Sequence, residues 1–348
     1  MKILKKILIL LLGVFALCMV IFLLGPKVHF DTFNNDPSLG KYTFDELKKV
    51  IVTNNEDPDI KPNNHEKIIW SDGVEKTEYS FVYLHGFSAS HEEGSPLHTN
   101  LAKKFGANLY LTRLPRHGLK DHDAFKELTP GEMVSYAKEA VKIGKSIGEK
   151  VILISCSTGS TLSTYLEAAD PEIYALVMFS PNFGLYDQTS RVITMPWGLT
   201  VARKIKKSNY HEWNAPEKAK PYWYDKYRLE GVAALQSLLN RTMKDEVFAS
   251  VKQPLFVGYF YKNEEFQDFT ISTEKIREFE RKIATPEELR EFVTYDDGNA
   301  HVFISPLFNE NWLRVQKDVV QFLEKKVGLV YANENQQSVK YPDIATKY

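Results

Sequence analysis

Apolar and polar positions along the chain divide it into recognisable stretches. The first is an uninterrupted apolar run over residues 7–24, preceded by Lys2, Lys5 and Lys6 and closed by Gly25-Pro26. As a helix this run spans about 27 Å at roughly 1.5 Å per residue, close to the roughly 30 Å apolar core of a bilayer. Residues 26–64 are rich in Asp, Asn and Pro and read as a linker, with a short amphipathic helix over 43–52. As a flexible coil, a linker of about 40 residues reaches roughly 35 Å. From residue 65 onward, short apolar runs alternate with segments of helical period. Strands are expected over 67–70, 78–84, 107–114, 151–154, 174–179, 254–261 and 289–295. Helices are expected over 96–105, 130–147, 161–169, 272–283 and 311–326. Thr129-Pro130-Gly131-Glu132 carries three agreeing start signals: a capping hydroxyl, proline at the first position and a glutamate three after the cap. The alternation of strand and helix predicts an α/β fold with a mostly parallel sheet. Residues 184–250 interrupt it with helical stretches, no strand of the sheet type, and many aromatics, among them Trp197, Trp213, Trp223, Tyr224 and Tyr227. Those aromatics are expected to form a core of that segment's own. Thr285-Pro286-Glu287-Glu288 is expected to be a short helical turn feeding a strand, and 328–348 a polar tail.

The most informative stretch is Val151-Ile-Leu-Ile-Ser-Cys-Ser-Thr-Gly-Ser160. An apolar strand runs without a spacer into small residues and then into a helix. This is the setting of a nucleophile elbow, in which a serine sits on a sharp turn with its hydroxyl exposed. The turn needs small residues two before and two after the nucleophile, here Ser155 and Gly159 around Ser157. Ser155 replaces the usual glycine. Cys156 and Ser155 fail as nucleophiles because Ile154 and Leu153 would fall where a small residue is required.

Composition narrows the classes. A hydrophobic share of 43% and a charged share of 26% fit a folded globular chain. With 44 basic and 45 acidic side chains, the basic surplus of a nucleic-acid binder is missing. The two cysteines, Cys18 and Cys156, lie in the apolar run and in the elbow and do not suggest a disulfide. The N-terminal run is longer than the roughly 7–15 residues of a signal-peptide core and lacks an A-x-A site. It is therefore expected to be an uncleaved membrane anchor through residues 7–24, with a cleaved signal as the alternative. Three lysines before it against Lys27 after it place the body outside the cytoplasm. No metal site is expected. His91-Glu92 lacks a histidine at H-E-x-x-H spacing, Pro96 interrupts any helix toward His98, and His117 and His122 fall on different helix faces.

His85-Gly86-Phe87, Ser155-x-Ser157-x-Gly159, Asp268 and His301, in this order, resemble the α/β-hydrolase superfamily over residues 65–327, in the manner of monoacylglycerol lipases and carboxylesterases. The resemblance implies an α/β-hydrolase fold with residues 184–250 as a cap, and the chain order nucleophile, acid, histidine. It places the base after the last strand, where His301 is the one histidine beyond residue 211. It places the acid after the strand over 254–261, where Glu264, Glu265 and Asp268 compete. Asp268-Phe-Thr-Ile-Ser272 fits the family's pattern and favours Asp268, although the loop over 262–267 is longer than that pattern. The oxyanion would be held by the backbone N–H groups of Phe87 and Thr158. The implied activity is cofactor-free hydrolysis of a carboxylic ester, of a small molecule or a lipid. Two other readings stay open: an aminopeptidase using Glu212, Glu217 or Asp225 to hold a free amino group, and a non-catalytic binding protein.

Overall fold

The computed structural model describes residues 2–37 and 40–332, so most of the expected polar tail, 333–348, lies outside the described residues. In chain order the strands are β1 Lys67–Ile69, β2 Thr77–Leu84, β3 Asn108–Leu111, β4 Gly148–Cys156, β5 Ile173–Phe179, β6 Tyr210–Glu212, β7 Lys226–Arg228, β8 Leu255–Asn263, β9 Phe266–Gln267 and β10 Arg290–Tyr295. The α-helices are α1 Lys2–Leu23, α2 Phe44–Asn54, α3 Leu97–Phe105, α4 Pro130–Ile147, α5 Thr158–Glu167, α6 Gly198–Lys206, α7 Leu229–Thr242, α8 Asp245–Phe248, α9 Thr273–Lys282 and α10 Trp312–Phe322.

The main sheet has the order β1-β3-β2-β4-β5-β8-β10. Its strands from β3 to β10 pair in parallel, and β1 lies antiparallel on β3. The first two strands therefore do not form a hairpin across Ser71-Asp72-Gly73. β1 has the exposed pattern of an edge strand, whereas β2 is buried from Tyr79 to Leu84 and takes a central place. β4 is covered on both faces. Val151 and Leu153 belong to one buried cluster with Met133, Val134 and Ala137 of α4, while Ile152 and Ile154 belong to the other with Leu101 of α3 and Val319 and Phe322 of α10. That double burial is why the strand reads as a continuous apolar run rather than an alternating one.

α4 begins as expected. The Thr129 hydroxyl accepts the Glu132 N–H at 3.1 Å, and the Glu132 carboxylate accepts the Thr129 N–H at 2.9 Å. Thr43 caps α2 in the same way. Residues 287–289 form a short helical turn leading into β10.

The 184–250 segment adds no strand to the main sheet but holds a small ribbon of its own, in which β6 and β7 pair antiparallel. Two expectations change. Three aromatics of this segment pack outward, onto other parts of the chain. Trp223 meets Phe308 at 5.2 Å, Tyr224 meets Phe125 at 5.0 Å, and Tyr227 meets Phe87 at 5.5 Å between ring centroids. The first part of the linker is laid along the body instead of hanging as a coil. Phe33 stacks edge-on against Tyr165 at 6.0 Å, and the Arg241 guanidinium donates to the carbonyls of Phe30 and Asp31.

Thr129→Ala removes one half of a reciprocal cap on the helix that flanks β4. It should lower unfolding stability by about 1 kcal/mol without altering the fold, as read by urea unfolding of the full chain in detergent.

Candidate active site

β4 ends in the centre of the sheet, and the chain must reverse within one residue to enter α5. Ser157 makes that reversal with φ 52° and ψ −115°. An L-residue with a side chain avoids this conformation, at a cost of about 1–3 kcal/mol. Backbone bonds hold it: the Ser157 N–H donates to the Phe179 carbonyl at 2.9 Å, and the Ser157 carbonyl accepts from Ser160 and Asn182. A Cβ on Gly159 would lie 1.9 Å from the Leu84 carbonyl oxygen, so only glycine lets α5 approach the end of β2. Ser155 is buried and fits, with its hydroxyl 3.1 Å from that of Ser160. The Cys156 thiol is buried, and burial, reinforced by the nearby Glu93 and Asp268 carboxyls, pushes its pKa well above the usual thiol range. It is held neutral there, which removes the thiolate a cysteine nucleophile requires.

His301 and Asp268 come together from loops 33 residues apart, Nδ1 lying 2.6 Å from Oδ2. The other Asp268 oxygen accepts the backbone N–H groups of Thr270 and Ile271 at 2.8 and 3.3 Å. This ordered, buried carboxylate fixes the imidazole with its proton on Nδ1 and leaves Nε2 as the basic nitrogen. Burial alone would lower the imidazole pKa, but the charge and hydrogen bond of Asp268, with Glu93 behind them, outweigh it, and the pKa is raised above 6.5. Glu264 and Glu265 are not at this histidine. Both are exposed, and Glu264 accepts instead from the Tyr261 hydroxyl at 3.0 Å. The extra length of the loop is used in a hairpin: β8 runs on to Asn263 and β9 folds back along it, delivering Asp268 to His301.

Ser157 and His301 belong to neighbouring strand ends. The Ser157 N–H bonds to Phe179, and the next residue, Ser180, donates its hydroxyl to the His301 carbonyl at 2.7 Å. No hydrogen bond joins Ser157 Oγ to His301 among the described residues, and such nucleophile–base contacts often tighten only when substrate is bound.

The loop after β2 closes the other side. A Cβ on Gly86 would lie 3.1 Å from that of Ser157. His85 is buried, donates from Nδ1 to the Gly86 carbonyl at 2.9 Å and accepts the Leu114 N–H at Nε2. Burial holds its pKa well below 6.5, consistent with this single neutral tautomer. Phe87 and Thr158 flank the same space, and among the described residues no acceptor takes either backbone N–H. The Thr158 hydroxyl is likewise buried without a partner. The 184–250 segment sits against this loop, with the Tyr224 N–H donating to the Ser88 carbonyl at 2.8 Å.

Sequence reasoning missed one buried group, Glu93. It lies in a 3-10 turn over His91–Gly94, and its carboxyl accepts the Gly86 N–H at 2.8 Å. In the sequence its neighbours His91-Glu92 read only as an incomplete metal motif. His91 and His98 use Nε2 on the carbonyls of His65 and His91, and burial lowers them to about 4 and about 3. Among the described residues no group of three or more His, Cys, Asp or Glu side chains is arranged to hold a metal ion.

Compared with protein-family models and with curated sequences, the chain matches none. Solved structures do resemble it. One, described under LipS and LipT, two metagenome-derived lipolytic enzymes, aligns at TM-score 0.60 and 12% identity over 76% of this chain and 99% of its own. The monoacylglycerol lipase of Paleococcus ferrophilus aligns at TM-score 0.54 and 15% identity, covering 74% of this chain and 97% of its own. A soluble variant of the monoglyceride lipase of Saccharomyces cerevisiae, in complex with a substrate analogue, aligns at TM-score 0.53 and 12% identity over 75% of this chain and 92% of its own. These likenesses, together with the parallel sheet and the elbow at the end of β4, give the chain the α/β-hydrolase fold.

Proposed function

We propose that this protein is a serine hydrolase of carboxylic esters. The observation that carries this reading is the 2.6 Å bond between His301 Nδ1 and Asp268 Oδ2, next to a serine held on a strained turn. His301 Nε2 takes the Ser157 proton as Oγ attacks the acyl carbon, and the imidazolium then protonates the leaving alcohol. Asp268 holds the tautomer and stabilises the cation. The Phe87 and Thr158 N–H groups receive the oxyanion, each worth about 3–4 kcal/mol in comparable sites. Water repeats the sequence on the acyl-enzyme. The 184–250 segment acts as the cap over this site.

The ester reading is favoured over the peptidase because two of the three acids a peptidase could use, all but Asp225, are engaged elsewhere. Glu212 is paired with Lys226 at 3.0 Å and Glu217 with Lys220, and both carboxylates are exposed. Similarity in fold to lipolytic enzymes points the same way.

We further propose that the enzyme works at a lipid surface on the outer side of the membrane. α1 contains one span, Ile3–Leu23, with mean hydropathy 2.9 and no part of it buried. Its end is joined to the cap: Trp197 Nε1 donates to the Ile21 carbonyl at 2.9 Å, and the Trp197 N–H to that of Pro26 at 2.8 Å. Around Trp197 the cap exposes Val192, Met195, Val201 and Ile205. Lys204, Lys206 and Lys207 lie alongside. Apolar side chains ringed by lysines at the end of a membrane span suit an interface with anionic lipid.

Ser157→Ala should abolish labelling by a fluorophosphonate probe with the fold intact, whereas Cys156→Ala should label normally. The reverse pattern would move the nucleophile to Cys156.

Asp268→Asn should lower kcat on a p-nitrophenyl ester by about 10⁴-fold. Glu264→Gln and Glu265→Gln should leave it near the wild-type value. In the wild type, kcat/KM should fall toward acid through a pKa above 6.5, because a raised imidazole pKa keeps His301 protonated, and unable to act as base, up to a higher pH. A limb well below 6.5 would contradict the His301–Asp268 pairing.

A chain beginning at Pro26 should turn over short soluble esters normally but lose activity on long-chain esters in anionic vesicles. Equal activity on both would remove the lipid surface from the account. Protease added to intact spheroplasts should digest the body, and full protection would reverse the topology.

A further inference from the structure

Glu93 has no part in the scheme above, yet it touches several of its parts. It is 2% exposed. One carboxyl oxygen accepts both the Gly86 N–H at 2.8 Å and the Tyr83 hydroxyl at 3.0 Å. The other would lie 2.7 Å from a Cβ built on Gly86, so the bare Gly86 Cα is lodged between the Glu93 carboxyl and the Ser157 side chain. On its far side Gly86 is held by His85, whose Nδ1–H bonds the Gly86 carbonyl, with the Ala89 N–H at 3.3 Å on the same oxygen. Gly86 is thus clamped at its nitrogen by Glu93 and at its carbonyl by His85. The peptide that follows is planar, so fixing the Gly86 carbonyl also fixes the direction of the Phe87 N–H, which points the opposite way. Glycine is otherwise the residue freest to rotate that peptide.

We propose that Glu93 is a positioning residue for ester hydrolysis: by gripping Gly86 at its amide, it holds the Phe87 N–H where the oxyanion forms. The proposal rests on the serine-hydrolase reading.

The site around Glu93 is also electrostatic. Facing it are the Tyr83 hydroxyl on β2, the Cys156 thiol at the end of β4 and the His301 imidazole from the loop after β10. Glu92 lies beside it on its own turn, and His98 of α3 stands edge-on to the Tyr83 ring at 4.9 Å. Burial raises the Glu93 carboxyl to about 7, against the lowering effects of the Gly86 N–H, His301, Tyr83 and Cys156. Near neutral pH its charge is therefore variable. When ionised it favours the imidazolium of His301, adding to Asp268.

Three chains separate positioning from mere packing: the wild type, Glu93→Gln, which keeps an oxygen for the Gly86 N–H but no charge, and Glu93→Ala, which removes the acceptor. Each full-length chain is labelled with a fluorophosphonate, checked by circular dichroism, and assayed for kcat and KM on p-nitrophenyl acetate across pH. Glu93→Ala is expected to lose about 10²–10³-fold in kcat with KM little changed, the size of losing one oxyanion donor. Glu93→Gln is expected to recover most of that kcat. Its acid limb should move to lower pH, because His301 without the second negative charge gives up its proton more readily. Wild-type kcat in both variants would overturn the proposal. So would an equal loss in both with an unmoved acid limb, the mark of a packing defect. If Glu93→Ala does not fold, Glu93→Gln decides alone: a lowered acid limb supports the proposal and an unchanged one overturns it. Failure of the underlying reading looks different. A wild type that is neither labelled nor active on the ester removes the hydrolase and the proposal together, whereas a labelled, active wild type with indistinguishable variants removes the role of Glu93 alone.

Discussion

The close approach of α5 to the end of β2 is the contact on which the site depends. Gly159 has no side chain, and the Leu84 carbonyl occupies the place where one would be. Only because that gap closes can the chain turn through Ser157 at positive φ and leave the serine beside Gly86. The strain is local, about 1–3 kcal/mol, and is offset by backbone bonds to β5 and by the packing of β4 on both faces. The elbow is therefore rigid because the centre of the sheet is rigid. The loops that bring His301, Asp268 and Phe87 are attached to the ends of those same strands.

The histidines illustrate how partner chemistry, rather than burial alone, sets the charge of an imidazole. His85, His98 and His117 are all buried, and each uses a ring nitrogen on a backbone carbonyl. Burial disfavours their charged form, and a neutral carbonyl compensates too little, so all three are held neutral. His301 bonds a carboxylate instead, and the opposite charge reverses the balance. The two carboxyls that act on His301 are held differently. Asp268 accepts from two backbone N–H groups and from His301, whereas Glu93 is enclosed with only weakly compensating donors. Both carboxyls act on the same imidazole, Asp268 through a direct hydrogen bond and Glu93 through its charge alone.

Residues 184–250 and the end of α1 are joined to the body by specific contacts. Tyr224 and Tyr227 pack against Phe125 and Phe87, Trp197 joins the cap to the end of α1, and Arg241 and Tyr165 tie down the segment between α1 and α2. A contact at the cap is therefore one or two residues away from the loop that carries Phe87. This short path links the end of α1 to the loop beside Ser157 more directly than a flexible tether would.

Local chemistry was legible in the sequence. Runs of β-branched and apolar residues marked β2, β4, β5 and β8 because central strands of a parallel sheet are buried on both faces. Thr129 and Glu132 marked α4 because a capping box spans only four residues. Ser157 stood out because the elbow is a local steric problem, solved within five residues. Chain order further selected His301. What depended on distant contacts was not legible. The partner of β1 was decided by the crossover through β3, and the β6–β7 ribbon by the pairing of three-residue segments too short to announce a period. The resemblance favoured Asp268 over Glu264, but the β8–β9 hairpin that turns the chain back and brings it to His301 was not foreseen. Glu92 and Glu93 are the same residue type side by side. Only folding against Gly86, Tyr83 and Cys156 buried the second and left the first partly exposed. A sequence carries the identity of a carboxyl group, but the dielectric and donors around it come from residues brought together by the tertiary fold, and these determine its charge.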